Sequence, residues 1–128
     1  DMNKFAFVLT AIAITSLFSS GIVLADEAAI KTLARITMNL NHFPSDDDKA
    51  ILKGIIDSDE SSDEAADIAM AISNMQHKVL EDDAERLEDL ISDDQIGADA
   101  RKLASILLRI NHAPSEEDKK TLAALAGG

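Results

Sequence analysis

One residue type recurs along this chain at a fixed interval: His42, His77 and His112 stand 35 residues apart. The sequence around each is a variant of one line. From Glu27 it reads EAAIKTLARITMNLNHFPSDDDKAILKGIIDSDES, from Ser62 SDEAADIAMAISNMQHKVLEDDAERLEDLISDDQI, and from Gly97 GADARKLASILLRINHAPSEEDKKTLAALAGG. Self-similarity at such a period is the mark of a repeat array. The chain is therefore expected to contain three units, residues 27–61, 62–96 and 97–128, forming one domain over 26–128.

Each unit carries two amphipathic segments. In the first, apolar or small residues fall at Ile30, Leu33, Ala34, Thr37 and Leu40, then at Ala65, Ile68, Ala69, Ile72 and Met75, then at Ala100, Leu103, Ala104, Leu107 and Ile110. Steps of three and four describe one face of an α-helix, not the alternation of a strand. The second segment shows the same steps at Leu52, Ile55 and Ile56, at Leu87, Leu90 and Ile91, and at Leu122 and Leu125. The expected fold is all-α: three tandem helix-turn-helix repeats, six short helices, stacked into a small α-α superhelix or bundle. Alanine at 34, 69 and 104 is common to the three units and suits close approach of a neighbouring helix.

The turns between the helices are the most alike parts. Asn41-His42-Phe43-Pro44-Ser45 pairs with Asn111-His112-Ala113-Pro114-Ser115. Proline stops a helix and pushes the residue before it to extended geometry. Ser45 with Asp48, and Ser115 with Asp118, match the Ser-x-x-acid pattern that opens a helix. Asp46, Asp47, Glu116 and Glu117 place negative charge in the first turn, where the helix dipole favours it. The middle unit has Val79-Leu80 in place of Pro-Ser, so its second helix should start less sharply. The period is close to the roughly 34 residues of a tetratricopeptide hairpin. The chain has no Trp, no Tyr and no Leu-Gly pair in a first helix, so that likeness is one of length alone.

Residues 1–25 have a different character. Lys4 precedes an almost wholly apolar run from Phe5, which ends in Val23-Leu24-Ala25 before the acidic Asp26-Glu27. This is the pattern of a secretory signal peptide, with small residues where a signal peptidase reads. Residues 26–128 are accordingly expected in the periplasm or outside the cell. Residues 1–25 hold one acid, Asp1, and one base, Lys4, so the remainder keeps 23 acids against 11 bases and the same net charge of −12. That balance opposes nucleic-acid binding, which draws affinity from Lys and Arg on phosphates, and opposes an anionic membrane surface. Phe43 is the one aromatic after residue 25, which removes ligand classes that lean on aromatic faces. With no cysteine the domain must hold together without disulfides, and about 100 residues bury enough surface for that.

The three histidines are the candidate metal ligands. Each follows Asn or Gln at the end of a first helix, where a histidine can donate to the last carbonyls and meet the dipole's negative end. In a stack, equivalent positions lie about 10 Å apart, whereas a metal needs its ligands within about 2.0–2.2 Å. A helix-end role for each is therefore the expectation, with a weak ion on one histidine and its own acids, such as His42 with Asp46 or Asp47, as the lesser alternative. Asp57-x-Asp59-x-Ser61-x-Asp63 resembles a calcium loop, but Ser62 and Ile68 stand where that loop needs Gly and Glu. A solvated linker and helix N-cap is the better reading. No cysteine nucleophile, glycine-rich phosphate loop or Ser-His-acid spacing supports catalysis, and no cofactor is implied.

The expected function is an exported acidic accessory module whose concave repeat surface receives a protein or peptide partner. Metal binding or buffering through the histidine turns is one alternative, and acidic inhibition of a basic envelope or secreted enzyme is the other. The last helix carries no charge after Lys120, so Leu122 and Leu125 are expected near a contact with a second copy or a partner, burial inside the monomer being the competing outcome. Intact mass or N-terminal sequencing of the native product should give a chain starting at Asp26; retention of Phe5 to Leu24 would make the protein membrane-anchored instead.

Overall fold

The computed structural model describes residues 26–127. The apolar run expected to direct export lies outside the described residues. Among the described residues there are six helices and no strands, and no helix is long and apolar enough to cross a membrane. They are α1 (26–38), α2 (Asp46–Asp57), α3 (Asp63–Ser73), α4 (Glu81–Ser92), α5 (Ala98–Arg109) and α6 (Glu116–Leu125).

Helix starts follow the local chemistry. The Ser45 hydroxyl accepts from the Asp48 N–H and that of Ser115 from the Asp118 N–H, each at 3.1 Å. Ser62 does the same for Ala65, so the acidic Asp57–Asp63 stretch serves as linker and cap. Leu80 opens α4 with no side-chain cap and remains exposed, as the missing Pro-Ser predicts. Each cap satisfies one of the amide donors that a helix start leaves unpaired.

The core is assembled from equivalent positions, 35 residues apart, in the three segments. Leu33, Ile68 and Leu103 are fully buried, as are Ala34, Ala69 and Ala104, and Leu52, Leu87 and Leu122. Thr37 occupies the place held by Ile72 and Leu107; its hydroxyl is satisfied by the Leu33 carbonyl at 2.7 Å, so a polar group is buried without an unpaired donor. The helices α1, α3 and α5 carry most of the buried residues. The second helices pack in the gaps, α2 against α3, and α4 against both α3 and α5. At one end the starts of α1, α3 and α5 border a common cleft of about 450 Å³, which Leu125 of α6 also lines.

The first and third segments come together, which corrects the linear stacking assumed for the spacing of the histidines. The His42 N–H in the first segment donates to the His112 carbonyl in the third at 2.6 Å. In a stacked array those two segments would be separated by the second. The expectation for the last helix changes with it. Leu122 is fully buried and Leu125 nearly so, both against the chain's own core, which is the competing outcome for that helix. The helix is also properly closed: Gly127, at φ 87°, donates to the Ala124 carbonyl, and Ala126 donates to that of Leu122.

Ser45→Ala and Ser115→Ala should each lower stability by roughly 0.5–2 kcal/mol in chemical denaturation. Leu80→Ser, which supplies the missing cap and removes an exposed apolar side chain, should raise it by about 1 kcal/mol or less.

Candidate metal centre

Each histidine lies in the turn that joins a first helix to a second. All three adopt the left-handed backbone conformation, with φ 70° at His42, 72° at His77 and 74° at His112. They are the only non-glycine residues with positive φ among the described residues. The turns are braced across their ends. The Arg109 guanidinium bonds the Asp118 carboxylate at 2.8 Å, joining the end of α5 to the start of α6. That hydrogen bond holds the Asp118 carboxyl below the ordinary carboxylate range and raises Arg109. In the middle segment Asn74 donates to the buried Asp83 at 3.2 Å, and Arg86 pairs with the same carboxylate.

The bent backbone of each histidine bonds to two different segments. The His42 N–H donates to the His112 carbonyl, the His112 N–H to the His77 carbonyl (2.7 Å), and the His77 N–H to the His42 carbonyl (2.8 Å). This is a closed cycle of three hydrogen bonds. A net gain of about 0.5–1.5 kcal/mol per bond is set against about 1–2 kcal/mol for each left-handed non-glycine residue. The two nearly cancel. Glycine would adopt the same conformation without the side-chain clash, so backbone closure alone does not explain an imidazole at all three places.

The side chains converge with the backbones. Ring centroids are 5.0 Å apart for His42 and His77, and 4.8 Å for each of the other two pairs. One nitrogen from each ring lies within 4.8 Å of the other two. A tetrahedral ion with imidazole nitrogens at about 2.0–2.1 Å would place those nitrogens roughly 3.3 Å apart and the ring centroids roughly 5.2 Å apart. The rings already stand at that centroid separation. Bringing the nitrogens together needs rotation of the rings and little backbone movement.

The surroundings fit a cation bound through nitrogen. The Nδ1 of His42 is buried with no hydrogen-bond partner, an arrangement that leaves a desolvated polar atom unsatisfied. The Nδ1 of His112 lies 2.8 Å from the Asn111 Oδ1. With Nδ1–H donating to that oxygen, the lone pair falls on Nε2, which is how an outer partner orients a ligating histidine. An amide residue precedes each histidine (Asn41, Gln76 and Asn111), and at Asn111 it makes this contact, a use not expected from the sequence. His42 is half-buried, while His77 and His112 are exposed.

One expectation is corrected by this geometry. The three histidines are not separated by the spacing of a stack; one nitrogen from each lies within 4.8 Å of the other two. Among the described residues no histidine ring nitrogen bonds a helix-end carbonyl, and His42 makes no bond to Asp46 or Asp47, which are exposed in the first turn of α2. No protein family, curated protein or solved structure matches the chain.

Asparagine also tolerates the left-handed region. His42→Asn, His77→Asn and His112→Asn should therefore each lower stability by no more than about 1 kcal/mol, the scale of one aromatic pair contact. Denaturant melts of the metal-free variants check this; a loss of several kcal/mol would make the rings a packing element first.

Proposed function

We propose that this protein is an exported metal-binding module that holds one transition-metal ion on His42, His77 and His112. On this reading the chain is three copies of one helical hairpin, residues 27–61, 62–96 and 97–128, closed about a common axis. One imidazole from each copy is thereby delivered to the same point. The observation that carries the proposal is the convergence of one nitrogen from each ring to within 4.8 Å of the others.

Two further features support it. In the turn the middle segment departs from the other two at every place but the histidine, with Gln76, Val79 and Leu80 where the first and third share Asn, Pro and Ser, and the residue after the histidine (Phe43, Lys78 or Ala113) differs in all three. The histidine is the same each time, in a backbone conformation that glycine or asparagine would also satisfy. The net charge of −12 raises the local concentration of cations around the molecule. Three imidazoles select zinc, copper, nickel or cobalt, whereas calcium and magnesium require oxygen ligands.

The partner-binding reading rested on the concave surface of an open array, and the hydrogen bond between the first and third segments gives that reading no support. The inhibitor reading rests on net charge alone. Metal binding has the specific geometry.

Calorimetry of residues 26–128 with zinc or copper should give one ion per chain, and calcium should give no heat of specific binding. The triple His→Asn variant should lose the ion. At ligand concentrations about 100-fold above Kd, zinc should add about 2.7 kcal/mol of stability. Unchanged stoichiometry in the triple variant would show that the ions bind the acidic clusters and not the histidines.

A further inference from the structure

The three ligands can come from one side only. Their backbones are hydrogen-bonded to one another at 2.6–2.8 Å, so the three segments meet within a small area, and the three rings rooted there form a tripod. A tripod caps one face of an ion and leaves the opposite face free. Among the described residues no carboxylate joins the three histidines within ligand reach, and the chain has no cysteine. His77 and His112 are exposed, so the free face meets solvent. Closed structural zinc sites use four protein ligands; sites with three keep a position for water or a substrate.

We propose that the ion held by His42, His77 and His112 keeps one coordination position open to solvent and takes there a small monodentate anion from outside the chain. The proposal rests on the metal-binding reading above and adds what that site binds. An anion is the favoured class on charge grounds. Three neutral imidazoles leave both positive charges of a divalent ion uncompensated, and a bound cation of this kind is the largest local charge in its site. Binding of the anion is a ligand exchange: a metal-bound water leaves as the anion's donor atom takes its place, with no change in oxidation state.

Cobalt(II) in place of zinc makes the exchange visible, since its d–d absorption reports the number and kind of ligands. Residues 26–128 are loaded with one equivalent of cobalt and titrated with azide, then separately with thiocyanate. The expected result is a shift of the d–d bands that saturates at one anion per cobalt while the cobalt remains with the protein after desalting. The triple His→Asn variant should show only the spectrum of free cobalt. Cobalt bound by the three histidines with a spectrum indifferent to saturating azide would mean a fourth ligand from the chain, overturning the open position and leaving the metal site intact. Loss of cobalt from the protein on adding azide would also overturn it. Failure of the wild-type chain to bind cobalt or zinc at all, read by calorimetry before any anion is added, would remove both proposals together.

Discussion

His42, His77 and His112 each give a backbone N–H to one of the others and accept one at the carbonyl, and that cycle sets how the three turns are placed against one another. It can close only if the first and third segments are neighbours. It therefore brings the turn after α1 against the turn after α5, and the start of α1 into the same cleft as the end of α6. Hydrogen bonds arranged head to tail polarise one another. A cycle extends that to every member, and no N–H or C=O of the three histidines is left at an open end.

The cycle does not hold the molecule together by its own strength. Its hydrogen bonds are nearly offset by the left-handed backbone at three non-glycine residues. Closure is carried by the apolar layer beneath, where Leu33, Ile68 and Leu103 and their neighbours Ala34, Ala69 and Ala104 are sealed from solvent. Burial of a leucine or isoleucine side chain is worth about 1.5–3 kcal/mol each, so this layer outweighs the hydrogen-bond cycle. The hydrophobic core closes the ring, and the cycle sets the register in which the three turns meet.

Much of this was legible in the residues. The three- and four-residue steps of apolar side chains name the helices, and the buried residues at Leu52, Leu87 and Leu122 or at Leu40, Met75 and Ile110 fall where that pattern puts them. Ser45, Ser62 and Ser115 cap helices as their positions suggest. What the period did not reveal was closure. A 35-residue interval is the same whether successive segments translate along a line or turn about an axis; the difference lies in the angle between one hairpin and the next, set by which faces of α2 and α4 meet α3 and α5. The sign of φ at the histidines is likewise invisible, because histidine occupies both halves of the backbone map. An assumed translation of about 10 Å per segment was enough to separate three side chains that in fact touch.

The middle segment separates the cause of the histidine geometry from its surroundings. Its turn has no proline, no capping serine and a lysine after the histidine, and α4 starts on the uncapped Leu80. If local sequence set the bend, His77 should differ from the other two. Its φ of 72° lies between theirs, and its hydrogen bonds are of the same length. The bend is therefore imposed by the cycle and by the core that closes it, and proline and serine only sharpen helix starts on either side. A turn whose conformation is dictated from outside can change its neighbouring residues freely without moving the imidazole. That is the condition under which three divergent segments can still present three nitrogens to one point.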